Sequence, residues 1–539
     1  MSISNLFIFH CQFSIFNFLA LCLCVSVVNL SCGSKPTGPR TVIPADSLVY
    51  LETNDLGKAL RAVTDNDAFK AAAKTQPDFS ALAGMKLAIA VTGFETKEQQ
   101  VTEENSVLNF KPRFVAVVET NAWNYQALSF TENKLGEFIN ETYGGEVTLE
   151  TTDKDGGKYF VWTAQDGRKA YALVRGSLIF FGNDESAIDK CLAVTRGEAD
   201  SIAKNPKIIA LQADSLASGY VSTDGVAQIA NIVGLKFAKE AGEAPEVQSA
   251  IAGILPQLLR NSITEVSWTA TKTEQGIEDK YSITMPPDIT RVFSEMLGAS
   301  GHPDTKLFED LRGSLNSVSV YDFNDPQIAW RSILLTTQKQ TDPLTAKVIG
   351  EFPGFFFAPY GIRDPEMFLS AVGPTIVTMK IDAYGDKSVV VAKVKDLAKV
   401  KKSISPDVRL LKSGKDEPVI SAWILGEEDL GVAYRDDRIY LGNSNGVIKC
   451  LTQERIGIEL KQSDLLKKFG EIKGSVFTAE SDSDSMDAIV NALTGKKNEG
   501  EPSVSHHTAE TRFTRTGIER RTVSDFGLIG SIIAQLGRE

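Results

Sequence analysis

Apolar residues run almost unbroken from Leu6 to Leu30, and no acidic or basic side chain occurs before Lys35. Beyond Arg40 the pattern changes to short apolar stretches separated by turn residues. Ser47–Leu48–Val49–Tyr50–Leu51 reads as a strand, and Asn54 or Asp55 can cap a helix after it. Residues 85–93 (MKLAIAVTG) and 113–120 (RFVAVVET) read as strands. Leu128, Leu135, Phe138 and Ile139 share one stripe of a helix over 124–142, which Gly144–Gly145 stops. A meander follows, with strands near 147–151, 158–164, 169–175 and 177–182. Its turns are Asp155–Gly156–Gly157, Asp166–Gly167 and Arg175–Gly176. Residues 183–186 then cap a helix that carries Cys191. These elements predict an α+β module, an antiparallel sheet with helices packed on one face.

The module occurs twice. Residues 160–192 (FVWTAQDGRKAYALVRGSLIFFGNDESAIDKCL) align with 421–451 (SAWILGEEDLGVAYRDDRIYLGNSNGVIKCL). Trp162 falls on Trp423, Gly182–Asn183 on Gly442–Asn443, and Cys191–Leu192 on Cys450–Leu451. Upstream, Arg113–Thr120 corresponds to Lys387–Val394. Downstream, Ser218–Ile232 corresponds to Gly474–Val490, and Thr273–Ile283 to the segment around Gly517–Ile518–Glu519. A period this long marks a duplicated domain. The expected organisation is a signal peptide over 1–31, a lipidated N-terminus and tether over 32–45, one module over 46–300 and a second over 301–539.

The N-terminal run is long enough to span a bilayer as a helix, which takes ~20 apolar residues. It also fits a secretory signal. Ser31, Gly33 and Ser34 surround Cys32, and this resembles the bacterial lipobox, in which the cysteine thiol receives a lipid after cleavage just before it. Asn29 and Leu30 depart from the usual pattern, and no basic residue opens the segment. Lys35 and Arg40 on the C-terminal side disfavour a plain transmembrane anchor. Cys32 is therefore the expected lipid attachment site. Gly33 after it, rather than aspartate, resembles the pattern sent to the outer membrane of a two-membrane bacterium.

The net charge of -12 leaves no basic footprint for nucleic acid and argues against docking on anionic headgroups. The expected partners are the membrane, through the N-terminal lipid, and an envelope protein or an apolar ligand. Three of the six cysteines, Cys11, Cys22 and Cys24, lie in the signal. The remaining pair, Cys191 and Cys450, occupies equivalent places in two modules, so each is expected to pack unpaired against its own sheet.

Candidate chemistry is sparse. The four histidines, His10, His302, His506 and His507, stand without a matching acid and nucleophile, and His506–His507 reads as a polar loop. No HExxH, Walker, GxSxG or GxGxxG motif occurs. Ser201-x-x-Lys204, Ser314-x-Asn316 and Lys412–Ser413–Gly414 follow the order used by penicillin-binding serine enzymes, yet they fall across both modules. Asp482, Asp484 and Asp487 suggest a calcium loop, but its glycine and final glutamate are missing, so helix capping is the expected role. Asp153-x-Asp155 reads as a hairpin turn. In residues 353–361 (PGFFFAPYG) two prolines predict an irregular segment, with Phe355, Phe356, Phe357 and Tyr360 as a possible apolar contact surface. No metal and no cofactor is expected.

Residues 43–50 (IPADSLVY), the Gly182–Asn183 strand end with its Cys191 helix, and Pro359–Tyr360–Gly361–Ile362-x-Asp364–Pro365 resemble an uncharacterised family of secreted bacterial lipoproteins over nearly the whole mature chain. The resemblance implies export and an α+β fold, and it supplies no catalytic residues. The expected function is that of a non-catalytic envelope lipoprotein with a binding or structural role. The alternatives are a carrier of lipid or another apolar ligand in a curved-sheet cavity, and a serine enzyme.

Overall fold

The structure, a computed structural model, describes residues 38–73, 76–100, 106–209, 215–240, 245–309, 317–380, 388–410, 430–452, 473–482, 484–494 and 505–537. The chain is α+β and forms two compact units. Ten strands come first: β1 (Val49–Thr53), β2 (Lys86–Gln100), β3 (Ser106–Glu119), β4 (Thr148–Lys154), β5 (Gly157–Thr163), β6 (Lys169–Arg175), β7 (Leu178–Gly182), β8 (Ala217–Val221), β9 (Glu265–Thr273) and β10 (Gly276–Thr284). The helices among and after them are α1 (Leu56–Thr64), α2 (Asp67–Ala72), α3 (Asn124–Phe130), α4 (Gly136–Thr142), α5 (Glu185–Thr195), α6 (Thr223–Glu240), α7 (Pro245–Ser262) and α8 (Pro287–Met296).

The second series of strands is β11 (Ser317–Asp322), β12 (Val372–Lys380), β13 (Ser388–Val394), β14 (Arg409–Leu410), β15 (Leu430–Arg435), β16 (Arg438–Asn443), β17 (Val476–Asp482), β18 (Ser505–Thr514) and β19 (Gly517–Ser524). Its helices are α9 (Pro326–Lys339), α10 (Pro343–Phe357), α11 (Pro365–Ala371), α12 (Leu397–Ser403), α13 (Ser444–Thr452), α14 (Asp484–Thr494) and α15 (Gly527–Gly537).

Strand order shows the duplication. The first series pairs as β4-β5-β6-β7-β3-β2-β1-β8-β9-β10, all antiparallel where the register is defined. The second pairs as β14-β15-β16-β13-β12-β11-β17-β18-β19, antiparallel except for the short β14–β15 contact. From β6 onward in the first order and β15 in the second, the two orders match strand for strand. The repeated glycine has a physical cause. Gly182 faces Val115 and Gly442 faces Val389 across the ladder, and a Cβ would meet the carbonyl oxygen of Phe114 at 2.6 Å or of Ser388 at 2.2 Å. Only glycine lets the backbones approach so closely.

The sheet of the first unit is covered on both faces, not one. On one face Leu87, Ile89, Phe114, Ala116, Phe160, Trp162 and Phe181 pack with residues of α1, α2, α14 and α15. On the other, Ala88, Ala90, Val115, Val117, Tyr159 and Phe180 pack with Ile188, Cys191 and Leu192 of α5. The second unit repeats this arrangement. Val389, Val391 and Tyr440 lie with Val447 and Cys450 of α13 on one side, and Val390, Ala392 and Ile439 lie with Phe368 and Val400 on the other. The central strands β2, β3, β7 and β13 each contain a continuous apolar run (LAIAV, FVAVV, LIFF, VVVA), as burial on two faces requires, where a half-covered strand alternates.

The compact units do not follow the repeat boundary at residue 300. The first comprises the described residues up to Tyr281 together with those in 483–503 and 525–539, and the second comprises 282–482 and 504–524. Helix α8, which follows the last strand of the first copy, thus belongs to the second unit, while α14 and α15 of the second copy belong to the first. Met486, Ile489, Val490, Leu493, Phe526, Ile529 and Ile533 supply part of the first unit's core. Sequence periodicity shows that a helix has an apolar stripe and is silent on which sheet the stripe covers.

Candidate functional site

The chain enters the first unit at Gly38, and a short 3₁₀ turn at Pro39–Thr41 presents Arg40 to the sheet. Tyr50 and Glu52 are two residues apart on β1 and so project to the same side. Glu52 is buried, and its carboxylate collects three donors. Arg40 engages both oxygens through Nε and Nη2, the Tyr50 hydroxyl donates at 2.8 Å, and the Ser218 hydroxyl donates at 2.8 Å from the facing residue of β8. The hydrogen bond that Arg40 donates to Glu52 raises the Arg40 pKa above its ordinary value, and burial followed by the Glu52 charge raises that of the Tyr50 phenol. Both side chains therefore stay protonated as donors. Further along, Ile43 accepts from the Ile202 amide at 2.8 Å, and the Ala45 amide donates to Asp200 at 2.9 Å. The root of the N-terminal segment is thus stitched into the fold from Arg40 to Ala45.

An open groove of about 250 Å³ lies beside this root, lined by Pro44, Ala45, Asp46, Lys190, Ala193, Ala199 and Asp200. Its charges are matched. Lys190 pairs with Asp46 at 2.9 Å, and Lys204 pairs with Asp200 at 2.5 Å. A second, apolar slot of about 70 Å³ lies between β1, β2, β9, α1 and α15, with Leu51, Leu60, Leu87, Trp268 and Ile533 among its walls. Thr53 at its rim donates to the Leu216 carbonyl at 2.7 Å. The slot has room for two or three methylene groups, whereas ligand pockets measure ~300–1,000 Å³.

Helix α15 is fastened beside this slot by Asp279 of β10. The buried carboxyl accepts from the Trp268 indole at 2.8 Å and from the Leu528 amide, in the first turn of α15, at 2.8 Å. Burial pushes its pKa up to about 7, the two donors pull it down, and the neighbouring Glu278 pushes it up.

The residues singled out from sequence distribute as follows. Cys32 lies outside the described residues, as do Ser314, Asn316, Lys412 and Trp423. Ser201 and Lys204 lie at the tether root, where the Lys204 ammonium is exposed and paired with Asp200. The segment from Pro353 is helical to Phe357 and then forms a 3₁₀ turn over Ala358–Tyr360, so the expected irregularity is confined to its end. Its rings separate: Phe356 is exposed, Phe357 packs edge-on against Trp330 at 5.2 Å, and burial pushes the Tyr360 phenol up to about 12. The Phe355 side chain is outside the described set. His506 and His507 lie in β18 rather than in a loop. Asp482 ends β17 and Asp484 opens α14. No group of three or more His, Cys, Asp or Glu placed to hold a metal occurs among the described residues. Cys191 and Cys450 are buried and free, and burial raises the pKa of both thiols, that of Cys450 to about 12.

Arg40, Glu52 and Asp279 were not among the sequence candidates. Their signal was present: an acid inside an otherwise apolar or β-forming run (VYLET, GIEDKYSI) is costly to bury unless a partner holds it.

No helix among the described residues is long and apolar enough to cross a membrane. No family model matches the chain, and no curated protein matches it. One solved structure, described as crystal form IV of TP0453, aligns over 48% of this chain and 85% of that one, at 11% identity and a TM-score of 0.22.

Proposed function

We propose that the chain is a non-catalytic cell-envelope lipoprotein with a binding or structural role, held at a membrane through a lipid on Cys32. The observation that supports this most is the stitched root at Arg40. Arg40 lies eight positions after Cys32. At a full extension of ~3.3–3.6 Å per residue these eight steps reach at most about 29 Å. A lipid on Cys32 would hold the first unit close to the bilayer, and a pull on that lipid would meet the Arg40–Glu52 contacts before it met the core. The apolar-carrier reading has less support, because the slot beneath α15 is smaller than an acyl chain. The fold carries helices over both sheet faces where a carrier needs an open concavity.

The test is mass spectrometry of the protein extracted from its own membrane, together with a Cys32→Ser variant. The expected result is a chain that begins at an acylated Cys32, and a variant that loses the acyl mass and leaves the membrane fraction. A native N-terminus at Met1 would overturn the proposal.

A further inference from the structure

Asp279 is a buried acid that the fold itself does not require. The strands β10 and β19 open on the same three residues, Gly276–Ile277–Glu278 and Gly517–Ile518–Glu519. The next position is Asp279 in the first copy and Arg520 in the second. The helix that follows the first copy's strand, α8, starts at Pro286–Pro287 with no side-chain cap, whereas α15 receives the Asp279 carboxyl on its Leu528 amide. The contact is therefore built on α15, the helix that follows the second copy's last strand and adjoins the apolar slot.

A glycine in the left-handed region stands at the same place. Gly527 has φ +61°, and a Cβ there would lie 2.5 Å from Ile277 Cγ2 and 3.0 Å from Asp279 Oδ2. Beyond it, α15 holds no ionisable side chain. Just before it, Asn66 donates to the Asp525 carbonyl at 2.9 Å.

We propose that Asp279 is a proton-controlled latch that sets how firmly α15 closes the apolar face of the first unit. The sign follows from linkage. With α15 seated, the carboxyl is buried against Trp268 and its pKa is raised to about 7, desolvation being the largest cause. With α15 lifted, it meets water and returns toward the ordinary ~3.9 of aspartate. The seated state binds the proton more tightly, so protonation favours closure, and that advantage is lost as the pH rises from the open-state ~3.9 to about 7. The surrounding charges leave this sign in place. Glu278 lies beside Asp279 on β10 and faces Lys280 at 3.1 Å. On β9, Lys272 pairs with Asp65 at 3.8 Å. Lys58 on α1 and Asp487 on α14 are exposed, and Arg61 on α1 is half-buried.

The test is hydrogen exchange on the full chain from pH 5.5 to 8.5, read at the amides of Ile529–Ala534, with Asp279→Asn and Glu278→Gln beside the wild type. Base-catalysed exchange by itself rises about tenfold per pH unit. Between the open-state ~3.9 and about 7 opening releases a proton, so below pH 7 the wild-type rate rises up to a further tenfold per unit; its logarithmic slope is near two there and falls to one above about pH 7, where the carboxyl is ionised in both states. The Glu278→Gln variant keeps this steeper slope, and Asp279→Asn returns to one. Binding of 8-anilinonaphthalene sulfonate rises from pH 5.5 to about 7 in the wild type as Leu60 and Trp268 become accessible, and levels off above about pH 7. A wild-type slope of one throughout overturns the proposal whether or not Asp279→Asn folds, and so does a slope near two that persists in a folded Asp279→Asn.

Discussion

Splitting the chain at the repeat boundary gives a first half that does not fold alone. The fragment 38–301 keeps every strand of the first copy and lacks α14 and α15. Those helices, with Phe526 just before α15, bury Met486, Ile489, Val490, Leu493, Phe526, Ile529 and Ile533 in the first unit's core. A fully buried side chain of this size contributes ~1.5–3 kcal/mol, so the seven together contribute on the order of 10–20 kcal/mol. This is an upper figure, because unfolded chains already hide some apolar surface. It still matches or exceeds the ~5–15 kcal/mol of net stability typical of a domain. The assay is urea unfolding followed by near-ultraviolet circular dichroism, with size-exclusion chromatography, on 38–301 alone and co-expressed with 302–539. Alone, the fragment shows no cooperative transition and elutes as aggregate; co-expressed, the two pieces elute as one species with a native-like spectrum. A cooperative transition and a native near-ultraviolet spectrum from 38–301 alone would refute the assignment of α14 and α15 to the first unit's core.

Further outcomes follow from individual contacts. Arg40→Ala strands the Glu52 carboxylate in the sheet and lowers unfolding free energy by roughly 3 kcal/mol, whereas Lys204→Ala, which removes an exposed ion pair, changes it by under ~0.5 kcal/mol; urea midpoints at equal slope separate the two. Gly442→Ala drives a Cβ into the Ser388 carbonyl and prevents soluble expression or costs more than ~2 kcal/mol. Gly156→Ala, in a turn with open space around it, costs about 1 kcal/mol from its positive φ alone. Cys191 and Cys450 resist a disulfide reagent at pH 8 in the native protein and react together on unfolding, because both thiols are buried with raised pKa values.

Much of this fold can be read from local chemistry. The Gly182–Asn183 and Gly442–Asn443 pairs mark where two strands approach too closely for any side chain. The two Cys–Leu pairs mark helices that follow equivalent strands, and Gly-Ile-Glu marks the start of each copy's last strand. Such signals survive duplication because each depends on contacts within a few residues or across one ladder. The helix exchange leaves no local trace. Helix α15 has an apolar sequence whichever sheet it covers, and long-range contacts such as that from Asp279 to Leu528 state its address. The two-faced burial was legible in principle, since LAIAV in β2 and FVAVV in β3 have no polar alternation to face water. The site residues were harder for the same reason as the exchange. Glu52 and Asp279 are held by partners 12 residues away in one case and 249 in the other, so their roles became visible only when the chain had closed on itself. At the position of Asp279 the second copy carries Arg520. Duplication preserved the sheet at this register while the charge was free to change sign, which separates what the fold demands there from what one copy alone has acquired.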